Sequence, residues 1–535
     1  MARLRLSPFG LVFSICLASS LAGCAVTEAD LTRWEGTQRG PTKLYAVVTH
    51  GKYSLDLRTK AALSIIRMPP RAGTRLGIAI LAQRHKDEDG NDVDGALNAL
   101  GDEDRAKIIA GIVPELEKEI TAPPPARLPD GALPHDPSIP YKDVAFALLS
   151  NQPPLVTDPD SRARLEKALA TWVQTGFQNR VENSSQQYGV EQMLRYLGPS
   201  AAKTLPDLIK DDTTRVDRVV GLAADVGDSE TKSRAAAALV AFAKTLESPE
   251  WAAAQKKVVE DHNAKTNTKA TPEQVLGQVE KIRERRFNDE LFPSMKKVGG
   301  ERQVIDFLLA YAGDAKKPED RRKLALAALE GRADKAVTSD GEKLFAIAKE
   351  DSTPDGVRDL AFTRLGELPK DQVIAKIYTL FETPKWKVRW VAGSMVLKMI
   401  DLKDLPTFLA KLPATARTKQ GMTEGLSFGE LIGKMDPKGG TSPKALMVQN
   451  LNNKSFGAKM TAIGFFYRGA RADEALLAPL AASNEPVPVC EKDDDCQWQC
   501  EAAKPNGAPG SKETATREIK TIGELVSLCV IPSLK

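Results

Sequence analysis

"KLFAIAKEDSTPDGVRDLAFTRLGEL", residues 343–368, decides how the rest of the chain is read. Its opening is apolar at helical spacing, from Leu344 to Ala348. A turn with Asp351 and Pro354 follows. Val357, Ala361 and Leu365 then recur at i, i+4 and i+8, which lines one face of a second helix. The next stretch, "KIYTLFETPKWKVRWVAGSMVLKM" at 376–399, repeats the scheme. Pro384 marks the turn, and Val388, Ala392 and Val396 form the stripe. An arginine follows the first stripe residue in both, Arg358 and Arg389, at an offset of 31 residues.

Related stripes recur along the chain: Leu57-Arg58, Ala61 and Ile65; Arg321-Arg322, Ala325 and Leu329; Ala458-Lys459, Ala462 and Phe466. A further unit is expected in "DSETKSRAAAALVAFAKTL", 228–246. Stripes at 388 and 458 leave room for one more unit near 421–435, where Gly-rich sequence blurs the pattern. "LYAVVTH", 44–50, has β-branched content but precedes the first stripe helix, so it reads as the first helix of a pair. Strand signals are otherwise nearly absent.

The motifs Asp-x2-Pro-x2-Val-Arg-x2-Ala-x3-Leu at 351–365 and Pro-x3-Val-Arg-x2-Ala-x3-Val at 384–396 resemble the HEAT/armadillo class of helical repeat. The resemblance implies an all-α protein, an α-solenoid of HEAT-like helix pairs, in which each pair buries its apolar face by stacking on its neighbours. It also implies that Asp351, Arg358 and Arg389 hydrogen-bond between neighbouring repeats as a polar ladder. The alternative is a set of unrelated amphipathic helices in an irregular all-α domain. Two proline-rich stretches, 121–140 and 151–160, interrupt the array as loops or a hinge.

The N-terminus carries a different message. Arg3 and Arg5 are the only charges before Glu28, and an apolar run from Leu11 to Ala22 follows them. That run is too short to span a bilayer and has the form of an export signal. Leu21-Ala22-Gly23-Cys24 resembles a bacterial lipobox. The resemblance implies cleavage before Cys24 and lipidation of that cysteine, with several acyl chains giving stable anchoring where one chain would not. Ala25, rather than Asp, favours an outer-membrane address over the inner membrane under the sorting rule of that family. The expected organisation is a signal peptide at 1–23, a tether at 24–43, the helical array at 44–480 and a Cys-rich cap at 481–535.

Without residues 1–23 the chain keeps 73 basic and 71 acidic side chains, since only Arg3 and Arg5 are lost. That near-neutral balance gives no electrostatic case for nucleic acid. No second apolar stretch reaches spanning length. Apart from Cys16 and Cys24, all cysteines lie in the last 46 residues: Cys490, Cys496, Cys500 and Cys529. In an exported chain this even cluster reads as two disulfides, with three pairings open. Zinc is the rival reading, but the spacing is not that of a zinc ribbon.

Chemistry is sparse. His50, His85, His135 and His262 share no helix face and no metal spacing. No nucleophile elbow, phosphate-binding loop or His-Glu-x2-His helix occurs. Ser294-Met-Lys-Lys297 fits Ser-x-x-Lys without its partner motifs. The acidic run from Asp87 to Asp94 fails the calcium-loop pattern at its sixth and twelfth positions, Asp92 and Asn98. Trp386 and Trp390 lie one turn apart with Lys385 and Lys387 beside them. They form either an interaction patch or core filling. The expectation is a lipid-anchored, non-enzymatic, cofactor-free binding or scaffolding module of the cell envelope, with protein partners. The alternative is an enzyme or small-ligand binder with its site on loops of a helical scaffold.

Overall fold

A computed structural model describes residues 26–534, apart from 72–74, 88–89, 129–131, 183–185, 211–214, 334–336, 384, 415–419, 436–441, 470–473, 488–498 and 504–513. The side chains at 178, 182, 386, 420–424, 499 and 501–503 also lie outside the description. The export signal, Cys24, Cys490, Cys496 and the Trp386 side chain therefore fall outside the described residues. The described part is an all-α solenoid of helix pairs, with two short β-ribbons. It divides into two compact units, 1–238 and 239–535, at a point inside helix Ser229–Leu246.

In the first unit, helices Leu55–Arg67, Asp102–Thr121, Pro159–Gln174, Val190–Leu197 and Val216–Val226 pack each on the next as one layer. Gly40–Thr49, Gly77–Ala82 and Ile139–Ser150 form the layer against it. The segment read as a tether does not behave as one from residue 28 onward. Helix Glu28–Glu35 buries Leu31 and packs on Leu55–Arg67. Thr27 and Asp30 start it as a capping box, each accepting the other's backbone N–H. Lys60–Glu28 and Arg67–Glu35 ion pairs hold its outer face. The acid-rich run sits in a short ribbon, in which His85–Lys86 pairs antiparallel with Asp92–Val93. Gly90, at φ +84°, makes the turn.

In the second unit, first helices Arg302–Gly313, Thr338–Lys349 and Lys370–Thr379 pack on one another in one layer. Second helices Glu319–Ala328, Asp355–Leu365, Trp386–Met399, Gln420–Gly433 and Phe456–Gly464 stack in the other. The second helices start 31 to 36 residues apart. The stripe alanines Ala325, Ala361, Ala392 and Ala462 are completely buried, as is Ala61 in the first unit. A small residue there lets adjacent helices approach until their other side chains interlock.

The unit expected near 421–435 exists and is the closest-packed place in the stack. A Cβ on Gly429 would lie 2.2 Å from both the Phe465 nitrogen and the Thr461 carbonyl oxygen. One on Gly425 would lie 2.5 Å from Met460, and one on Gly464 would lie 2.4 Å from the Leu426 oxygen. Backbone meets backbone here, which removes the aliphatic stripe that marks the other units.

The C-terminal segment is part ribbon, part helix. Gln499–Ala503 pairs antiparallel with Thr514–Glu518, from Gln499 opposite Glu518 to Ala503 opposite Thr514. A disulfide joins Cys500 in this ribbon to Cys529. The final helical stretch runs from Ile522 to Ser533, with a π-helical middle at Leu525–Val530. Glu518 closes the strand, and Thr521 caps the helix through Glu524. Its Ile522, Leu525, Val526 and Val530 are buried, and it packs on Glu474–Ala481 and on the π-helical turn Phe465–Gly469.

Candidate functional site

The hydrogen bonds of Arg358 stay within its own repeat, whereas Arg58 also pairs with Asp104 of the next helix pair at 2.9 Å. Arg358 Nε donates to the Ala348 carbonyl, ten residues earlier, at the end of its own first helix. Arg322 does the same to Ala312, and Arg58 to Val48. The last four carbonyls of a helix lack intrahelical donors, and the helix dipole favours a cation there. Each of these arginines is therefore a buried C-cap that closes one helix pair. Arg389 donates to Thr383 O, also within its own unit. Between the repeats of Asp355–Leu365 and Trp386–Met399 the inter-repeat contacts are made by lysines: Lys385 pairs with Asp351 at 3.1 Å and Lys387 with Asp355 at 3.0 Å.

These groups line a cavity of about 430 Å³ where Asp355–Leu365 and Trp386–Met399 begin. Its charges are satisfied internally. Arg358 also pairs with Asp355, and the Lys387 ammonium beside Asp355 holds its carboxyl below the usual range.

A second groove, about 460 Å³, runs between the same two helices toward their C-termini. The repeat offset of 31 sets its register. One position after the arginine stand Asp359 and Trp390, four further on Thr363 and Ser394, and four beyond those Glu367 and Lys398. The floor is apolar, with Phe362 and Met395 buried. Trp390 forms the wall and is 39% exposed. Glu367 is engaged by Arg364 and by the Gly331 N–H. The Asp359 carboxylate and the Lys398 ammonium make no ion pair among the described residues. Asp359 faces solvent, yet partial desolvation and the Asp355 carboxylate one turn earlier hold its carboxyl above the usual range. Trp390 is thus a surface residue, whereas the position of the Trp386 ring is outside the description. Asp359 and Lys398 are legible only through the repeat register, as the partners of Trp390 and Glu367.

A buried charged cluster in the first unit has no counterpart in the sequence-based expectations. Lys142 and Arg180, both almost fully buried, sit over the Trp172 ring at 4.8 Å and 4.5 Å. Asp143 pairs with Lys142 at 2.6 Å and accepts the Gln187 and Tyr188 N–H groups. Trp172 Nε1 donates to Ser138 Oγ, which donates to Asp136, and Asp136 faces Arg180. Burial pushes the Lys142 amine below its usual range. Two cations and two carboxylates balance, as buried charge must. The cluster fastens the end of the proline-rich connection, Asp136 to Ser138, to helix Pro159–Gln174. No signal at fixed spacing marks it, because its members are brought together by the turns between helices.

Among the described residues, no group of three or more His, Cys, Asp or Glu is placed to hold a metal ion, and no helix is long and apolar enough to cross a membrane.

No protein-family model matches the chain, and no curated protein matches it. Solved structures do. Kap121p bound to Ste12p is 13% identical over 90% of this chain and 46% of that chain, with a TM-score of 0.31. Kap121p bound to Nup53p is 14% identical, covering 90% of this chain and 48% of that one, at 0.30. The karyopherin Kap121p bound to the SUMO protease Ulp1p gives 14% identity, 89% and 46% coverage, and 0.30. The chain spans less than half the length of these matched chains.

Proposed function

We propose that this protein is a non-enzymatic binding or scaffolding module that recognises protein partners on the exposed face of its second-helix layer. The proposal includes an N-terminal lipid anchor at Cys24 and a place in the cell envelope, outer membrane rather than inner. The observation that carries the recognition surface is the groove walled by Trp390. An aromatic of that size left half in water stands above an apolar floor, and the rim holds an acid and a base that make no ion pair among the described residues. That is the composition of an interaction hot spot. The groove is formed by two neighbouring repeats, so its shape follows from their stacking and needs no induced ordering. The anchor reading rests on Leu21-Ala22-Gly23-Cys24 and the basic, apolar stretch before it.

A photocrosslinking residue at position 363, on the groove rim, tests the recognition surface. Discrete adducts are expected in intact cells, and an added Trp390→Ala change should remove them. The same crosslinker at Lys349, on the first-helix layer, should give none. Adducts at 349 and 363 alike, or adducts at 363 that survive Trp390→Ala, would refute the groove as the recognition surface.

A further inference from the structure

The groove's chemistry specifies more than an apolar partner, given that the groove is the recognition surface proposed above. Asp359 and Trp390 occupy equivalent positions in adjacent repeats, each one residue after the capping arginine, and both line the same cavity. The indole is partly exposed, and no cation stacks on it among the described residues. The carboxylate has no ion-pair partner among those residues, although its neighbours Asp351 and Asp355 each have a lysine. Arg358, on the same helix, is turned inward to Ala348 and Asp355, and Lys387 from the facing helix is bonded to Asp355. Neither cation pairs directly with Asp359. An acid that is partly desolvated, without an ion-pair partner among the described residues and lining the same groove as an open indole is complementary to one kind of group. A planar cation can stack on the ring and pair with the carboxylate at once.

We propose that the groove holds a protein segment that places an arginine side chain between the Trp390 indole and the Asp359 carboxylate, with an adjacent apolar residue on Phe362 and Met395. The arginine supplies specificity, because a neutral side chain of the same length would leave Asp359 desolvated and unpaired. The apolar neighbour supplies contact area on a floor that includes a methionine, a side chain that adapts to irregular partners. Lys398, two turns away on the same rim, repels a second cation, so the segment carries its arginine at the Asp359 end only.

The full chain labelled with 5-fluorotryptophan provides the test, the Trp390 fluorine line being assigned from Trp390→Phe. Two probes are titrated: acetyl-Phe-Arg-Leu-amide and its twin with citrulline for arginine, which keeps the shape and removes the charge. The arginine probe should shift the Trp390 line with a Kd about 10-fold below that of its twin, a ratio that corresponds to about 1.4 kcal/mol. Asp359→Asn should bring the two probes to the same Kd, and Lys398→Ala should preserve their order. Equal Kd values in the unmodified protein would overturn the arginine assignment while leaving the apolar groove as a recognition surface. A preference that survives Asp359→Asn would overturn it too. No shift from either probe, together with no adducts at position 363, would remove both readings.

Discussion

Arg358 donates through Nε to the carbonyl oxygen of Ala348 at 3.1 Å, and the two residues are ten apart in the chain. The same bond spans the same interval at Arg322 and Ala312 and at Arg58 and Val48. In these three helix pairs the arginine at the start of the second helix therefore measures the turn: it can reach its carbonyl only if the first helix ends where it does. A charge-assisted bond to a buried acceptor contributes more than an ordinary one, because its loss strands a carbonyl away from water.

Arg322→Met keeps the buried stem and removes the donor. Arg322 bonds to Ala312 within its own helix pair, so the loss should be local. We expect about 2 kcal/mol less protection from amide exchange across 302–328, the cost of a buried acceptor left without its charged donor. Exchange measured by mass spectrometry reads this directly, and protection unchanged in that segment would refute the capping role.

Two glycines should respond to alanine in opposite directions. Gly429→Ala forces a methyl against the Phe465 and Thr461 backbone, and overpacking of this kind costs about 1–3 kcal/mol. Gly277, inside helix Pro272–Arg285, has nothing within 4 Å of the added carbon. Gly277→Ala should stabilise its helix by about 0.5–1 kcal/mol through reduced backbone entropy of the unfolded chain. Urea titrations of the two variants give the comparison.

Asp355 and Asp359, one turn apart, should show opposite pH dependence. Lys387 lowers the Asp355 pKa, so Asp355 contributes stability that is present above the unfolded carboxylate value and lost as pH falls through the folded one. Asp355→Asn should therefore destabilise at neutral pH and converge with the parent in acid. The Asp359 pKa is raised by desolvation and by Asp355, with Arg358 and Lys387 opposing. The folded state then holds its proton more tightly than the unfolded state, and stability falls as pH rises through that window. Asp359→Asn should stabilise at neutral pH and converge in acid. Thermal melts from pH 3 to pH 8 check the signs.

Replacing both Cys500 and Cys529 with serine should loosen the C-terminal segment alone. Opening a link of sequence separation 29 costs about 3.6 kcal/mol in the chain-entropy account of disulfides. Trypsin should cut at Arg517 and Lys520 sooner, while exchange protection in 302–433 stays as it was. Loss of protection there would mean that the tail holds the array together.

Cys24→Ser should move the protein from the membrane fraction to the soluble fraction after a carbonate wash. Retention in the membrane would refute the lipid anchor.

The helix pairs are legible in the sequence because their signal is local. Val357, Ala361 and Leu365 repeat at a helical interval, and Arg358 stands at a constant place beside them. The direction in which that arginine points is not legible, since a ladder between repeats and a cap within one use the same residue at the same position. Helix Glu28–Glu35 leaves no periodic trace because only Leu31 of its residues is buried, and one leucine makes no stripe. The Gln420–Gly433 unit is marked by interval alone, its glycines having replaced the aliphatic signature. Lys142, Asp143, Trp172 and Arg180 cannot be assembled from spacing. Of the groove, Trp390 stands out by its chemistry, whereas Asp359 becomes visible only once two repeats are laid side by side.

The glycine contact between Gln420–Gly433 and Phe456–Gly464 bears on how such an array is inherited. Elsewhere in the stack a unit meets its neighbours through side chains, as where the Phe428 ring lies on Gly393, so duplication or loss of one unit leaves two surfaces that side chains can still fill. At Gly429 and Gly464 the fit is between two backbones, and neither helix can accept a neighbour bearing ordinary side chains at those points. These two helices form an indivisible block. Lineages that lengthen or shorten the array should do so on either side of residues 420–469 and never between its halves.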